Sequence, residues 1–168
     1  MAARCSIPLV RKGLSIQELG DLLERPYNAT LATYRRDGSV LLSPVWHEWR
    51  DDGFNIITGP DDVKVRHIER QHRAVAVVSD NEFPFRGIEL SCSPTIVRDI
   101  RFGQDTLRRI AVRYLGAERA QVYLRSSSES IVVIRMEPGG LRTWDFVDDA
   151  ESFGFGATHE PNTRPTQG

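Results

Sequence analysis

Residues 28–58 read NATLATYRRDGSVLLSPVWHEWRDDGFNIIT, and this stretch decides the fold class. It holds three runs rich in β-branched, aromatic and small apolar residues, which are typical of strands. Asp37-Gly38 separates the first two runs and is a strong hairpin signal, and Asp51-Asp52-Gly53 separates the second run from the third. The pattern predicts a three-stranded antiparallel meander over 29–34, 40–49 and 54–58.

Helices and strands are also expected on both sides of this meander. Ser15 and Glu18 have the spacing of a capping box, which predicts a helix ending before Pro26. A second helix is expected over 61–72, because acidic residues begin it. Hydrophobic periodicity predicts the remaining elements, which are strands over 74–78, 86–97 and 131–136 and a helix over 104–115. Too few βαβ units are present for a parallel sheet, so the order favours an α+β fold with a small antiparallel barrel.

Composition narrows the class of protein without choosing a function. The chain has 168 residues, 22 basic and 23 acidic side chains, 40% hydrophobic and 27% charged residues. These values are typical of a folded globular protein and give no charge-based reason to expect nucleic acid or an anionic membrane as partner. No run is long enough for a membrane helix, and the N-terminus lacks the apolar core of a signal peptide.

The ends of the chain and its cysteines complete this picture. Cys5 and Cys92 form neither a disulfide framework nor a metal-ligand spacing, and the four histidines match no known metal site, so we expect a cytoplasmic protein without a metal. After residue 149 the chain has spaced glycines and prolines and no periodic apolar face. We therefore expect one domain over 1–149 and a flexible or partner-draped tail over 150–168.

The turn from Thr58 to Arg66 is the first candidate site. It ends a strand, turns on Gly59-Pro60, and places Lys64 and Arg66 at the start of a helix. Free N–H groups and the dipole at a helix N-terminus favour an anion such as phosphate. The alternative is that Lys64 and Arg66 pair with Asp61, Asp62 or Glu69 on a solvated helix, and the local sequence alone favours that alternative.

The second candidate site is the run Ser43-Pro44-Val45-Trp46-His47. A proline interrupts the hydrogen bonding of a strand, and the large side chains around it could form the wall of a pocket for a flat ligand. The alternative is an edge strand with core aromatic residues, in which His47 is a hydrogen-bonded structural histidine. No nucleophile motif, Walker loop or dinucleotide fingerprint is present, so no catalytic residue is assigned.

In combination, these motifs resemble the pyridoxamine-phosphate-oxidase-like split-barrel superfamily, and more closely its flavin- and deazaflavin-dependent oxidoreductase branch. The resemblance is carried, in the family's order, by 28–34 with the Asp37-Gly38 turn, 43–46, 54–58, 64–70 and 74–78. It implies an α+β split antiparallel β-barrel, the FMN-binding split barrel, with flanking helices. It also implies a homodimer that binds FMN or the deazaflavin coenzyme F-420 in grooves at the subunit interface.

The resemblance gives roles to individual residues. Thr58 and Lys64 would contact the cofactor phosphate with help from Arg66, and the backbone of Ser43, Pro44 and Val45 would face the ring. The implied activity is hydride transfer between the cofactor and a small conjugated organic substrate. We prefer the deazaflavin, because its longer phosphate-bearing tail suits a basic channel, which would be lined by Arg66, Arg70 and Arg73.

The chain departs from true pyridoxamine-phosphate oxidases at two places, and it leaves a second function open. Val63 replaces the basic group before the lysine, and Arg142-Thr143-Trp144 stands where an Arg-x-His substrate pattern is expected. Both departures predict a substrate other than vitamin B6. The alternative function is a non-catalytic protein that binds or stores a flavin, a deazaflavin or haem, since a fold alone does not determine function.

Overall fold

The computed structural model describes residues 10–126 and 130–148. Cys5, the boundary at residue 149 and the predicted tail over 150–168 lie outside this part of the chain, so the predicted domain division stays a prediction. The described helices are α1 (Val63–Gln71), α2 (Ile100–Leu115), α3 (Ala117–Ser126) and a 3-10 turn (Gln17–Leu19). The described strands are β1 (Arg11–Lys12), β2 (Ala29–Tyr34), β3 (Val40–Val45), β4 (His47–Arg50), β5 (Gly53–Thr58), β6 (Ala74–Ser79), β7 (Gly87–Cys92), β8 (Thr95–Val97), β9 (Val132–Met136) and β10 (Gly140–Asp145).

The strands form two antiparallel sheets that do not close into one. The larger sheet has the order β1-β10-β7-β6-β2-β3, and the smaller has the order β4-β5-β9-β8. With helices flanking the sheets, this is an α+β split barrel, and the predicted fold class is confirmed. Within the described residues, no helix has both the length and the apolar character that crossing a membrane requires.

The predicted meander is divided between the two sheets. The hairpin of β2 and β3 forms as expected, with Tyr34 opposite Val40. The expected strand over 40–49, however, breaks at Trp46, after which β4 pairs with β5 in the smaller sheet. The expected strand over 86–97 breaks in the same way between Cys92 and Thr95. In both places the chain leaves one sheet for the other, so the strand must bend where it changes partners.

The first predicted helix is wrong beyond its opening turn. The capping box is present, since the Ser15 N–H donates to Glu18 Oε2 at 2.8 Å and the Glu18 N–H approaches Ser15 Oγ at 3.4 Å. Only a 3-10 turn follows, because Gly20 has a left-handed φ of 61° that ends the helical path. Leu19, Leu22 and Leu23 are nevertheless buried in the core.

Three elements had no counterpart in the sequence prediction, namely the two-residue strand β1, helix α3 and strand β10. Helix α3 buries only Ala120, so it lacks the apolar stripe that reveals a helix. Strand β10 begins with Gly140, Leu141, Arg142 and Thr143, which have no alternating apolar pattern, and its position is set by pairing with β7. The helix over 61–72 is confirmed as α1, and the helix over 104–115 begins earlier, at Ile100, because Asp99 caps it.

The core lies between the two sheets and is closed by the helices. α1 packs against β2, and α2 packs across β4, β5 and β9. The C-terminal end of β3 lies near the start of α1 and near α2 and α3. The fully buried side chains of the core include Leu31, Phe54, Ile56, Ile88, Leu90, Ile134 and Met136.

Candidate functional site

A cleft of about 300 Å³ lies where β3, β5 and the three helices meet. It contains four of the six residues that the sequence singled out, namely Pro44, Val45, Thr58 and Lys64. The two candidate motifs therefore form one site, although they were identified separately. The complete lining is Pro44, Val45, Trp46, Ile57, Thr58, Lys64, Leu107, Ile110 and Tyr123.

Asp62 organises the end of the cleft at the start of α1. It is the N-cap of the helix, and its Oδ1 accepts the Lys64 N–H at 2.9 Å. Its Oδ2 accepts the Thr58 hydroxyl at 3.0 Å and the Lys64 Nζ at 2.8 Å. Asp62 thus holds together the two side chains that were expected to contact a phosphate.

This ion pair is partly shielded from solvent. The Lys64 side chain is 16% exposed and that of Asp62 is 27% exposed. Burial acts to raise the pKa of Asp62, but hydrogen bonds from Lys64 and Thr58 outweigh it and keep this pKa below its ordinary value. Asp62 is consequently ionised at neutral pH. The pairing of Lys64 that the local sequence favoured is present, and it involves the cation that lines the cleft.

Arg66 and Ser43 lie outside the described lining of the cleft. Arg66 is exposed, and its guanidinium donates to the Asp61 carbonyl at 2.9 Å. Ser43 is half-buried on β3, opposite Leu31 of β2. Their roles toward a cofactor stay predictions.

Several arginines lie near His67 of α1. Burial first, and then the charges of Arg70, Arg35 and Arg66, lower the pKa of His67, so these three arginines act on one region. Arg73 lies over the ring of Tyr34, with its guanidinium carbon 3.9 Å from the ring centroid. These arginines lie outside the described lining of the cleft, and Arg73 lines a separate pocket with Tyr34.

Trp46 and Tyr123 line the cleft and belong to an aromatic cluster. The ring of Trp46 stacks on that of Tyr114, with centroids 4.9 Å apart and an interplanar angle of 14°. Tyr123 of α3 tilts against Trp46 at 5.6 Å. The Tyr114 hydroxyl anchors the stack by donating to the Tyr27 carbonyl at 2.6 Å. The cluster is thus fixed to the barrel before any ligand binds.

His47 follows the structural alternative. It is fully buried, its Nε2 lies 3.1 Å from the Tyr27 carbonyl, and its ring packs edge-on against Phe54. Burial, together with the charge of Arg113, lowers the pKa of His47 to about 3. The residue is neutral at physiological pH and does not line the cleft.

The sequence did not single out Ile57, Leu107, Ile110 or Tyr123 as site residues. Leu107 and Ile110 were expected on the buried face of a helix, but which β-strands that face meets is a tertiary property. Tyr123 was missed together with α3. The run of helix-forming residues after Gly116 is the one local signal that would have found it.

Few of the side chains that line the cleft can donate or accept a proton. Among the described lining residues, only Lys64 and Tyr123 have titratable side chains. Nowhere in the described part of the chain do three histidine, cysteine or acidic side chains converge as a metal site would need. The arrangement suits binding of a flat, anionic molecule better than acid–base or metal catalysis by the protein itself.

The Arg142-Thr143-Trp144 run lies elsewhere, on β10. Arg142 pairs with Glu89 of β7 at 2.7 Å. Trp144 lies against the backbone of Gly87 and, with Lys12 and Phe146, lines a separate pocket of about 390 Å³. Within one chain, this run is therefore not part of the cleft described above.

Comparisons with known proteins agree with this architecture. A crystal structure of the conserved hypothetical protein Rv2991 from Mycobacterium tuberculosis superposes with a TM-score of 0.70 at 20% identity, covering 92% of this chain and 93% of that one. An F-420 reductase superposes with a TM-score of 0.58 at 24% identity, covering 72% and 93%. The haem storage protein HutZ from Vibrio cholerae gives 0.58 at 14% identity, covering 75% and 92%.

The sequence comparisons identify the family. No curated protein matches the chain by sequence. The family model described as pyridoxamine 5'-phosphate oxidase matches residues 15–145, which is most of the chain and includes every strand from β2 to β10. The protein therefore belongs to the pyridoxamine 5'-phosphate oxidase family and has its split-barrel fold.

Proposed function

We propose that the protein is an oxidoreductase that transfers a hydride between a bound flavin-type cofactor and a small conjugated organic substrate. The cofactor would be the deazaflavin coenzyme F-420 or FMN. One observation carries the proposal: a single cleft joins an aromatic and apolar wall on β3 to the Thr58–Lys64 turn. A flat ring needs the first feature and a phosphate needs the second.

The residues of the cleft fit the two ends of such a cofactor. Thr58, Lys64 and the N-terminus of α1 would hold the phosphate, because a hydroxyl, an ammonium and a helix dipole all favour an anion. Pro44, Val45 and Trp46 would lie along the ring. Arg66 and Arg70 would add positive charge beyond the phosphate, which supports the longer tail of the deazaflavin.

The chemistry of hydride transfer would come from the cofactor, whose ring supplies or accepts the hydride when bound. The protein would contribute binding, orientation and exclusion of water. Ile57, Leu107 and Ile110 are apolar residues of the cleft, and Lys64 and Thr58 would hold one end of the ligand. Because the cofactor would carry the hydride, a cleft with few titratable side chains is compatible with this reaction.

A homodimer would complete the site. Strand β3 is at the edge of the larger sheet, and its Val40 and Leu42 side chains are 46% and 64% exposed. Val122 on α3, on the other side of the cleft, is 69% exposed. A second copy of the chain would cover these apolar side chains and supply a further wall to a cleft that is small for a cofactor.

A non-catalytic binding protein is the second candidate. Binding without turnover needs no acid–base residue, and the described lining has few. The same fold occurs in a haem storage protein as well as in an F-420 reductase, so the fold does not choose between storage and catalysis.

Cofactor titration tests the proposal. Purified apo-protein is titrated with FMN, the deazaflavin coenzyme and haem, and binding is followed by absorbance and fluorescence. Lys64→Ala should weaken flavin or deazaflavin binding by about tenfold or more, because a charge-assisted hydrogen bond to the phosphate is lost. Lys12→Ala is the matched control, since Lys12 lies on β1 at the separate pocket, and it should have no effect.

The outcomes separate the two candidates. Oxidation of the bound, reduced cofactor by a conjugated acceptor supports the enzyme, and a ligand that never changes redox state supports the binding protein. Haem binding without flavin or deazaflavin binding, or equal affinities for Lys64→Ala and wild type, contradicts the site as proposed.

A further inference from the structure

Asp62 accepts five hydrogen bonds at the phosphate end of the cleft. Its carboxylate accepts from the Thr58 hydroxyl, from the Lys64 N–H and from Lys64 Nζ at 2.8–3.0 Å. Its carbonyl accepts the N–H groups of Val65 and Arg66 at 3.1 and 3.3 Å. Any phosphate that binds at this turn must therefore share these donors with a negatively charged side chain, or displace it.

The charge of the turn is balanced before a ligand arrives. Between Thr58 and Arg66 the sequence has two acidic residues, Asp61 and Asp62, and two basic residues, Lys64 and Arg66. Lys64 is the only cation in the described lining of the cleft, and Asp62 already pairs with it. Arg66 is outside the lining and donates to the Asp61 carbonyl. The site therefore has little excess positive charge with which to attract an anion.

We propose that Asp62 makes this site select a singly charged phosphate diester over a doubly charged phosphate monoester. The inference rests on the proposed function, since it concerns the phosphate of the cofactor. A phosphate monoester has a second pKa near 6 and carries almost two negative charges at pH 7, whereas a diester carries one. Repulsion from the Asp62 carboxylate grows with the charge of the ligand.

A diester can be accommodated beside Asp62. The Lys64 ammonium has three donors, and one of them serves Asp62, so the others are available to a ligand oxygen. One negative charge added to the Lys64–Asp62 pair leaves the site with a net charge near −1. Two added charges leave it near −2 in a place partly shielded from water, which is costly. At the phosphate itself the deazaflavin coenzyme has a diester and FMN has a monoester, so Asp62 would favour the deazaflavin at this end of the cleft.

The test measures a ratio of affinities in the full-length protein. Dissociation constants for FMN, the deazaflavin coenzyme and riboflavin, which has no phosphate, are measured at pH 7.5 for wild type and for Asp62→Asn. Asparagine is as good an N-cap as aspartate, so α1 keeps its start while the charge is lost. Asp61→Asn is the matched control, because it removes the neighbouring exposed charge without touching Thr58 or Lys64.

We expect Asp62→Asn to tighten FMN binding by about tenfold and deazaflavin binding by about threefold or less, with riboflavin unchanged. Asp61→Asn should leave the ratio of the FMN and deazaflavin affinities as in wild type. Asp62→Ser, which also caps a helix, repeats the measurement if the amide disturbs Thr58.

Two kinds of result overturn the inference, and they are distinguishable from failure of the proposed function. Equal changes for FMN and the deazaflavin, or a gain for riboflavin as well, mean that Asp62 does not act through phosphate charge. Tighter binding of FMN than of the deazaflavin by wild type contradicts the direction of selection. If no variant binds either cofactor, the proposed function itself fails, and this inference fails with it.

Discussion

At the scale of the residue, His47 is a histidine next to the cleft whose side chain is buried in the core. It stands between Trp46, which lines the cleft, and Glu48, which forms a bidentate pair with Arg109. Alternation along the strand turns it inward, where it meets Phe54 and the Tyr27 carbonyl. A titratable ring held neutral by burial has a consequence for stability rather than for catalysis.

His47 should make the protein less stable as the pH falls from 6.5. The unfolded chain binds a proton at this position below pH 6.5, whereas the folded chain does so only near its lowered pKa of about 3. The stability that neutral His47 contributes is therefore fully present above pH 6.5. It is lost as the pH falls toward 3, by at most about 1.4 kcal/mol for each pH unit. Urea unfolding at pH 7, 6 and 5 should show a shallower loss for His47→Gln, whose amide can still donate to Tyr27.

A matched control for this pH effect is His72→Asn. His72 is exposed at the left-handed C-cap of α1, a conformation that asparagine accepts, so this variant replaces an exposed histidine and shows whether the effect belongs to the buried position. Identical pH dependence for His47→Gln and wild type would show that His47 is not held neutral. His67 and the carboxyl groups of Glu48 and Asp62, whose pKa values are also lowered, should contribute to the loss that remains in the variant.

Residue types identified part of the site from the sequence, and tertiary contacts supplied the rest. Thr58 and Lys64 were found because a strand end, a Gly-Pro turn and a helix start follow one another within nine residues. The stack of Trp46 on Tyr114 joins positions 68 residues apart, so no local pattern predicts it. The sequence predicted that Lys64 pairs with a nearby acid, but it did not predict that Asp62 also accepts a hydrogen bond from Thr58.

At the scale of the element, the predicted strands were right where both ends carry a turn signal. β2 and β5 have such signals, and both formed close to their expected limits. The breaks at Trp46 and after Cys92 were not predicted, because they depend on which sheet accepts the next residue. α3 was missed because it buries a single alanine and has no apolar stripe. β10 was missed because its position depends on pairing with β7.

The pairing of β7 with β10 depends on the absence of a side chain at Gly87. A Cβ atom there would lie 2.0 Å from the Trp144 ring, opposite it in register, and the rigid indole has no flexible end to move aside. We expect Gly87→Ala to lower the free energy of unfolding by about 1–3 kcal/mol, because the ring must leave its place. Urea denaturation measures this change.

Gly59→Ala is the companion variant for Gly87→Ala. An added Cβ at Gly59 meets nothing within 4 Å, and its φ lies outside the left-handed region, so the substitution should be close to neutral for stability. Equal stability of Gly87→Ala and wild type would mean that Trp144 does not pack on the β7 backbone.

At the scale of the whole molecule, the exposed edge of the larger sheet is the surface on which the proposed dimer depends. β3 has no neighbour on its outer side among the described strands, and edge strands that stay exposed invite association. Pro44 and Val45 of the same strand line the cleft, so a dimer formed at this edge would complete two equivalent sites. Assembly and cofactor binding should then depend on the same surface.

Leu42→Asp should therefore reduce both dimerisation and cofactor affinity. Leu42 is 64% exposed in the single chain, so the change should leave the monomer fold intact while placing a charge in the proposed interface. Leu141→Asp is the matched control, because Leu141 is 45% exposed on β10, away from β3 in the sheet order. Sedimentation velocity should give twice the monomer mass for wild type and Leu141→Asp, and the monomer mass for Leu42→Asp. Cofactor titration of the same samples should show weaker binding by about tenfold or more only for Leu42→Asp. A monomeric wild type with full cofactor affinity would mean that one chain holds the complete site.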